Sequence, residues 1–347
     1  MSAKAGDPAN GNPASQIDVP GEETMVRTEV IIDEQRCHGC GNCVQFCPRE
    51  CLAITGDNYS PLGYKLPVVT NPERCNTCGL CSQMCPHWAI EVYLSVESEG
   101  EPVVIEKVAG PPRLAKSPPL ANCPGCQHPL VGRIVTEVLD ELGVDGKAVA
   151  LDAISCASSS AFGVGFGRMF ADDEKPCTVA TMTKSAQPNA LVFLVQDDLR
   201  IPTMADDFLS ALIHGEKFTM IMCTDINCGA GRRHLAPVTS ITAHDSREIV
   251  AQGYPMHTAE LVATFRGVAY SARGAITCPD AYQRTKSLVR TAFQKQMDNV
   301  GFSFVEVLCA CTACEWTLTA ADCLKWVNER IMADLPLGEF KNVDQVE

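Results

Sequence analysis

The sequence has no run of roughly 20 apolar residues, the length that a membrane-spanning helix needs. Its strongly apolar stretches, such as residues 190–195, are far shorter. It also lacks a cleavable apolar leader, because residues 1–25 are mostly small, polar and acidic and read as a flexible tail. Basic excess is missing too: 28 Lys and Arg against 42 Asp and Glu give a net charge of −14 and a pI near 5.0. Nucleic acid and anionic membranes both want a basic face. These absences predict a cytoplasmic protein with no membrane insertion and no nucleic-acid partner.

What is present in excess is cysteine, 20 in 347 residues. A reducing compartment keeps thiols free or metal-bound, so metal rather than disulfide is the expected use. Two segments carry one pattern, Cys37-x2-Cys40-x2-Cys43-x3-Cys47-Pro48 and Cys75-x2-Cys78-x2-Cys81-x3-Cys85-Pro86. Three thiolates at this spacing wrap one corner of a [4Fe-4S] cube, and the fourth, followed by proline, leads to the other cluster. The expected ligand sets are therefore crossed. Cys37, Cys40, Cys43 and Cys85 serve one cluster, and Cys75, Cys78, Cys81 and Cys47 the other. Gly39, Gly41 and Gly79 suit the tight turns around the sulfides. Cys51 lies outside the pattern and reads as a packing residue. Residues 30–95 thus resemble a bacterial two-cluster ferredoxin, a small α+β domain assigned to residues 26–95.

Residues 96–120 hold Gly100, Pro102, Gly110, Pro111, Pro112, Pro118 and Pro119 and are expected to be a linker. Beyond it the pattern predicts an α/β domain over residues 121–330, then a C-terminal tail, 331–347. Leu130, Ile134, Val135, Val138, Leu139 and Leu142 share a helical face that Gly143 ends. Four apolar runs, 148–154, 190–195, 218–223 and 302–308, have the length of buried parallel strands, with a crossover helix over 204–214. They lead into Ser155-Cys156, Gln196-Asp197-Asp198, Thr224-Asp225-Ile226-Asn227 and Cys309-Ala310-Cys311. Ligands of an open parallel sheet gather beyond the carboxyl ends of its strands. Asp197, Asp225 and the carbonyl of Asn227 are hard oxygen donors suited to Mg2+.

Residues 121–316 resemble the thiamine-diphosphate-binding β subunit of 2-oxoacid:ferredoxin oxidoreductases. The motifs are Cys123-Pro124-Gly125-Cys126-Gln127-His128, Ala153-Ile154-Ser155-Cys156-Ala157-Ser158, the acidic strand ends and the late Cys311. The resemblance implies a parallel-sheet thiamine-binding domain and a third [4Fe-4S] cluster on Cys123, Cys126, Cys156 and Cys311. It implies thiamine diphosphate and Mg2+ near Cys126, His128, Ser155, Cys156, Asp197, Asp198, Asp225, Asn227 and Gly229. It further implies thiamine-dependent oxidative decarboxylation of a 2-oxoacid, with electrons leaving singly through the three clusters to ferredoxin or another one-electron acceptor. The activating glutamate and any coenzyme A site are expected on α-type and γ-type partner subunits.

The departures from the family pattern are specific. Gln196-Asp197-Asp198-Leu199 replaces Gly-Asp-Gly-Asp, which leaves open whether Asp197 or Asp198 meets the metal. No His-Gly-Arg segment is visible, and residues 229–234 replace Thr-Gly-Gly-Gln. A relay subunit with a degenerate thiamine site is the alternative reading. A separate zinc site on Cys309, Cys311, Cys314 and Cys323 is a further one.

Overall fold

The computed structural model describes residues 25–97, 104–114, 123–144, 146–152, 167–170, 175–198, 201, 204–226, 241–245, 248–251, 256–310 and 319–346. The N-terminal module contains β1 (Met25–Ile32), α1 (Asn42–Gln45), β2 (Leu52–Ala53), β3 (Val68–Val69), α2 (Leu80–Gln83), β4 (Ile90–Glu97) and β5 (Val104–Ala109). Strands β1, β4 and β5 form an antiparallel sheet in that order, and β2 pairs with β3.

Strand β5 corrects the expected linker. The glycines and prolines of residues 96–120 flank the run Val104-Ile105-Glu106-Lys107-Val108-Ala109 without interrupting it. That run is rich in β-branched residues and pairs with β4 as the third strand of the module.

The large domain runs α3 (His128–Glu141), β6 (Ala148–Asp152), β7 (Gly167–Phe170), α4 (Pro176–Ala186), β8 (Leu191–Asp197), α5 (Ala205–His214) and β9 (Thr219–Ile226). A hairpin, β10 (Ile241–Asp245) and β11 (Glu248–Ala251), is followed by α6 (Thr258–Ala263), β12 (Val268–Ala275), α7 (Pro279–Met297) and β13 (Phe302–Ala310). The chain continues through α8 (Ala320–Trp326), a π-helical turn, α9 (Met332–Asp334) and β14 (Gly338–Asn342).

Seven strands form one sheet in the order β14-β12-β13-β9-β8-β6-β7. All neighbours are parallel except β14, which runs antiparallel along the edge of β12. The described part of each predicted strand run falls in a sheet strand; residues 153–154 lie outside the described residues. Strand β12 was not foreseen because Ser271 and Arg273 interrupt its apolar run, although every residue of it is buried. The expected C-terminal tail is likewise corrected, since β14 completes the sheet edge.

Helices α3 and α7 cover one sheet face, placing Leu130, Ile134, Tyr282 and Phe293 against Phe193, Ile221 and Val305. Helices α4, α5 and α6 cover the other, around Val192, Met220 and Phe304. Two covered faces are what near-continuously apolar parallel strands require. On the second face, Arg273 and Glu306 are fully buried partners on adjacent strands, with Arg273 Nε 2.8 Å from Glu306 Oε2. Burial pushes the Glu306 carboxyl up, against the pull of Arg273 and the hydrogen bond from Thr224.

The two units share a core. Met84 and Trp88 of the N-terminal module are 0% and 1% exposed and belong to the same apolar cluster as Leu130, Ile134 and Val138 of α3. Phe46 of the module also packs against this cluster and against the one formed by Leu324, Val327 and Leu308.

Candidate iron–sulfur and strand-end sites

Each half-motif makes the same local turn. Gly41 and Gly79 are left-handed at φ 81° and 72° and directly precede α1 and α2, which carry Cys43 and Cys81. Gly39 is held at φ +60°, and a Cβ there would lie 2.5 Å from the Lys65 carbonyl oxygen. Only glycine fits that approach.

The turns bring the cysteines around two cavities. Cys37, Cys40, Cys43 and Cys85 line one. Cys47, Cys75, Cys78 and Cys81 line the other. Each quartet thus takes three thiols from one half-motif and the fourth from the other. Cys51 also lines the second cavity, at the position that Ala89 holds in the first. The two exchanged cysteines are treated alike: Cys85 Sγ accepts from the Ala89 N–H and Cys47 Sγ from the Cys51 N–H, both at 3.3 Å.

Burial, with added repulsion from neighbouring thiols, pushes Cys40 and Cys81 up to about 12. Cys37, Cys43 and Cys85 move the same way, again chiefly through burial. Such a group becomes a set of thiolates only with strong positive charge between them, and iron supplies it. The donor set fits a [4Fe-4S] cluster in each cavity.

Beside the first cavity, His38 Nδ1 and His87 Nε2 are 3.1 Å apart. Burial, then the proximity of His38, lowers His87 to about 3, so its ring is neutral at physiological pH.

Arg133, on α3 and 5% exposed, reaches across the seam. Its Nη1 donates to the Ser82 carbonyl at 2.8 Å and Nη2 to the Gly110 carbonyl at 2.7 Å, while Nε pairs with Glu137 Oε1 at 2.9 Å. Ser82 lies between the ligand candidates Cys81 and Cys85, so the large domain holds the cluster loop directly. This contact has no signature in the spacing, because an arginine on a mostly apolar helix face shows its use only when the second domain is in place.

At the carboxyl ends of the large sheet, β8 ends at Asp197, which is 2% exposed, and Asp198 is fully buried. Asp197 continues the strand alternation of Phe193 and Val195 toward the α3 face. Asp225 lies in β9, in register with Cys309 of β13. Two consecutive buried carboxylates call for a cation or for hydrogen-bond donors, and as hard oxygen ligands they suit Mg2+. Gln196 is also fully buried, and neither atom of its amide has a hydrogen-bond partner among the described residues.

Cys123 and Cys126 form a turn in which the Cys126 N–H donates to the Cys123 carbonyl at 3.2 Å. His128, buried at 3%, opens α3 immediately after it. Gln127, missed in the sequence reading, fixes this junction: its Nε2 donates to the Ile276 carbonyl at 3.0 Å and its Oε1 accepts from the Ala310 N–H at 2.6 Å. Ser155, Cys156, Asn227, Gly229 and Cys311 lie outside the described residues. Cys309 and Cys323 pack in different apolar clusters, so the structure does not bring those two together.

Residues 29–105 match the family model of the 4Fe-4S dicluster domain. The chain is similar to the ketoisovalerate oxidoreductase subunit VorA of Methanothermobacter thermautotrophicus, 25% identical over 226 residues, which is 63% of this chain and 47% of the relative. The VorA subunit of Methanothermobacter marburgensis is 24% identical with the same coverage. The chain therefore spans about half the length of the curated relatives it matches. Among solved structures, a 2-oxoglutarate:ferredoxin oxidoreductase from Magnetococcus marinus, with 2-oxoglutarate, coenzyme A and succinyl-CoA bound, superposes with a TM-score of 0.51. That match is 19% identical and covers 68% of this chain and 87% of the other, a likeness of fold. The family-model match supports iron–sulfur binding by the N-terminal module. No helix among the described residues is long and apolar enough to cross a membrane.

Proposed function

We propose that the chain is the thiamine-diphosphate-binding β-type subunit of a multi-subunit, cytoplasmic 2-oxoacid:acceptor oxidoreductase, with a δ-type two-cluster module at its N-terminal end. The observation that carries this reading is the shared core. The module with the two cysteine quartets packs on α3, the helix that begins just after Cys123 and Cys126 at the strand-end site.

In this reading Cys123, Cys126, Cys156 and Cys311 hold a third cluster. Asp197, Asp225 and the Asn227 carbonyl hold Mg2+, with Asp198 beside them, and Ser155, His128 and Gly229 border the cofactor. Thiamine diphosphate supplies the carbanion stabilisation that decarboxylation of a 2-oxoacid needs. The chain's own residues anchor the diphosphate through the metal, exclude water from the strand ends and hold the clusters that carry electrons away. α-type and γ-type subunits supply the activating glutamate and the coenzyme A site, and ferredoxin or another one-electron carrier is the final acceptor.

The test is to co-purify the chain with its partner subunits and to measure iron, thiamine diphosphate and Mg2+, then viologen reduction with a panel of 2-oxoacids. About twelve irons and one thiamine diphosphate per chain, with 2-oxoacid-dependent dye reduction by the complex alone, are expected. Turnover by the isolated chain would overturn the need for partners. A second reading, an electron-relay subunit with a degenerate thiamine site, is favoured by Gln196. It puts a fully buried side chain where the family pattern has the glycine that admits the diphosphate. Twelve irons without thiamine diphosphate would establish that reading instead.

A further inference from the structure

His128, Cys223 and Cys309 meet inside the large domain. One donor atom from each, an imidazole nitrogen and two Sγ, lies within 4.8 Å of the others, and all three residues are buried. We infer that these residues form a mononuclear zinc site, distinct from the iron–sulfur centres, which assigns His128 to the metal rather than to the border of the thiamine cofactor.

The backbone builds the site from three elements. Strands β9 and β13 are adjacent and parallel, with Cys223 opposite Val307 and Cys309 opposite Asp225. The two cysteines are thus one pleat apart on the same sheet face, and both belong to the core cluster under α3. His128 is delivered from above as the first residue of α3. Gln127 holds that helix start to the ends of β12 and β13 through Ile276 and Ala310, the latter adjacent to Cys309. The histidine is therefore pinned over the thiols by its neighbour's hydrogen bonds.

The chemistry favours one soft divalent ion. Zinc takes thiolate at about 2.3 Å and imidazole at about 2.0 Å, so tetrahedral donors stand about 3.5–4 Å apart. Small side-chain rotations bring the observed triad to that separation. A [4Fe-4S] cluster carries each thiolate on a different iron and holds them farther apart. Two thiolates and a neutral imidazole cancel the charge of Zn2+. An uncharged complex suits a place where all three ligands are buried, whereas one thiolate there would be costly. Three protein ligands leave the fourth position open, and the site lies toward the strand ends where ligands of a parallel sheet collect.

The test uses the full chain, co-expressed with its partners and grown with both iron and zinc. Zinc and iron are counted by mass spectrometry, and the zinc environment is read by X-ray absorption. The expected result is one zinc per chain with two sulfur neighbours and at least one nitrogen. Cys223→Ala and Cys309→Ala should each lower zinc at least tenfold while leaving iron unchanged. Wild-type protein containing iron but no zinc would overturn the inference, as would a zinc shell without sulfur. So would a fall of about four irons per chain in Cys309→Ala, which would make Cys309 a cluster ligand. The wild-type measurements decide the matter if either variant does not fold.

Discussion

Replacing Arg133 by Met keeps the aliphatic stem in the seam and removes the guanidinium. The variant loses two donors to buried or part-buried carbonyls, those of Ser82 and Gly110, at 2.8 and 2.7 Å. Hydrogen bonds from a charged group contribute about 1.5–3 kcal/mol each. Glu137 is not abandoned, since Lys286 Nζ lies 2.8 Å from its Oε2. The loss should therefore fall near the two bonds alone, about 3–4 kcal/mol after some re-solvation of the carbonyls. The apolar seam through Met84, Trp88 and Leu130 remains, so the module should stay docked but open more often. At about 1.4 kcal/mol per factor of ten, amide exchange of residues 80–90 through that opening should quicken at least a hundredfold, while β8 and β9 keep their protection. Potentiometric titration gives a second readout. Arg133 lies close enough to Cys85 to favour its thiolate electrostatically, so without the charge the Cys85-ligated cluster should be harder to reduce and the other nearly unchanged. Unchanged exchange at 80–90 would refute the reasoning and leave docking to the apolar contacts alone.

Other predictions follow from single contacts. Cys37→Ala and Cys85→Ala should abolish the same electron paramagnetic resonance signal, and Cys47→Ala and Cys75→Ala the other; any other pairing would contradict crossed ligation. Gly39→Ala must displace the Lys65 carbonyl and strain a backbone held at φ +60°, so the variant should lose about four irons per chain. Glu306→Ala leaves Arg273 buried beside a missing partner and should cost about 3–5 kcal/mol in denaturant unfolding, although Glu260 also pairs with that arginine. Between pH 7.5 and 5.5, the holoprotein should lose stability as pH falls. His87 is neutral in the folded state and takes up a proton on unfolding below about 6.5, a slope of up to about 1.4 kcal/mol per pH unit. His87→Asn should flatten that slope in thermal melts, and an unaltered slope would count against the assignment.

Much of the architecture was legible because it rests on local signals. The strand runs at 190–195, 218–223 and 302–308 and the helix ending at Gly143 are set by apolar periodicity and turn chemistry, which operate over a few residues. The elements that were missed or misread depend on distant partners. Strand β5 is a strand because β4 offers it an edge, and β14 because β12 does. Arg273 breaks the apolar pattern of β12 because Glu306, 33 residues later, neutralises it inside the core. In the candidate site, the acidic strand ends and Cys126-x-His128 were readable as motifs, whereas Gln127 looked like a spacer until Ile276 and Ala310 came to its side chain.

By itself the sequence determined that cysteine is used for metal, because the repeated spacing with proline after each fourth thiol is a covalent constraint on which sulfurs can share a cube. It also determined that acidic and thiol residues follow the apolar runs. Only the tertiary structure decided which thiols meet. Cys85 joins Cys37 because the two half-motifs fold back on each other, Arg133 grips Ser82 because α3 packs under the cluster loop, and Cys223 meets Cys309 because β9 and β13 are neighbours. Spacing governs contacts within a turn, and burial of a common apolar core governs those between elements far apart in the chain.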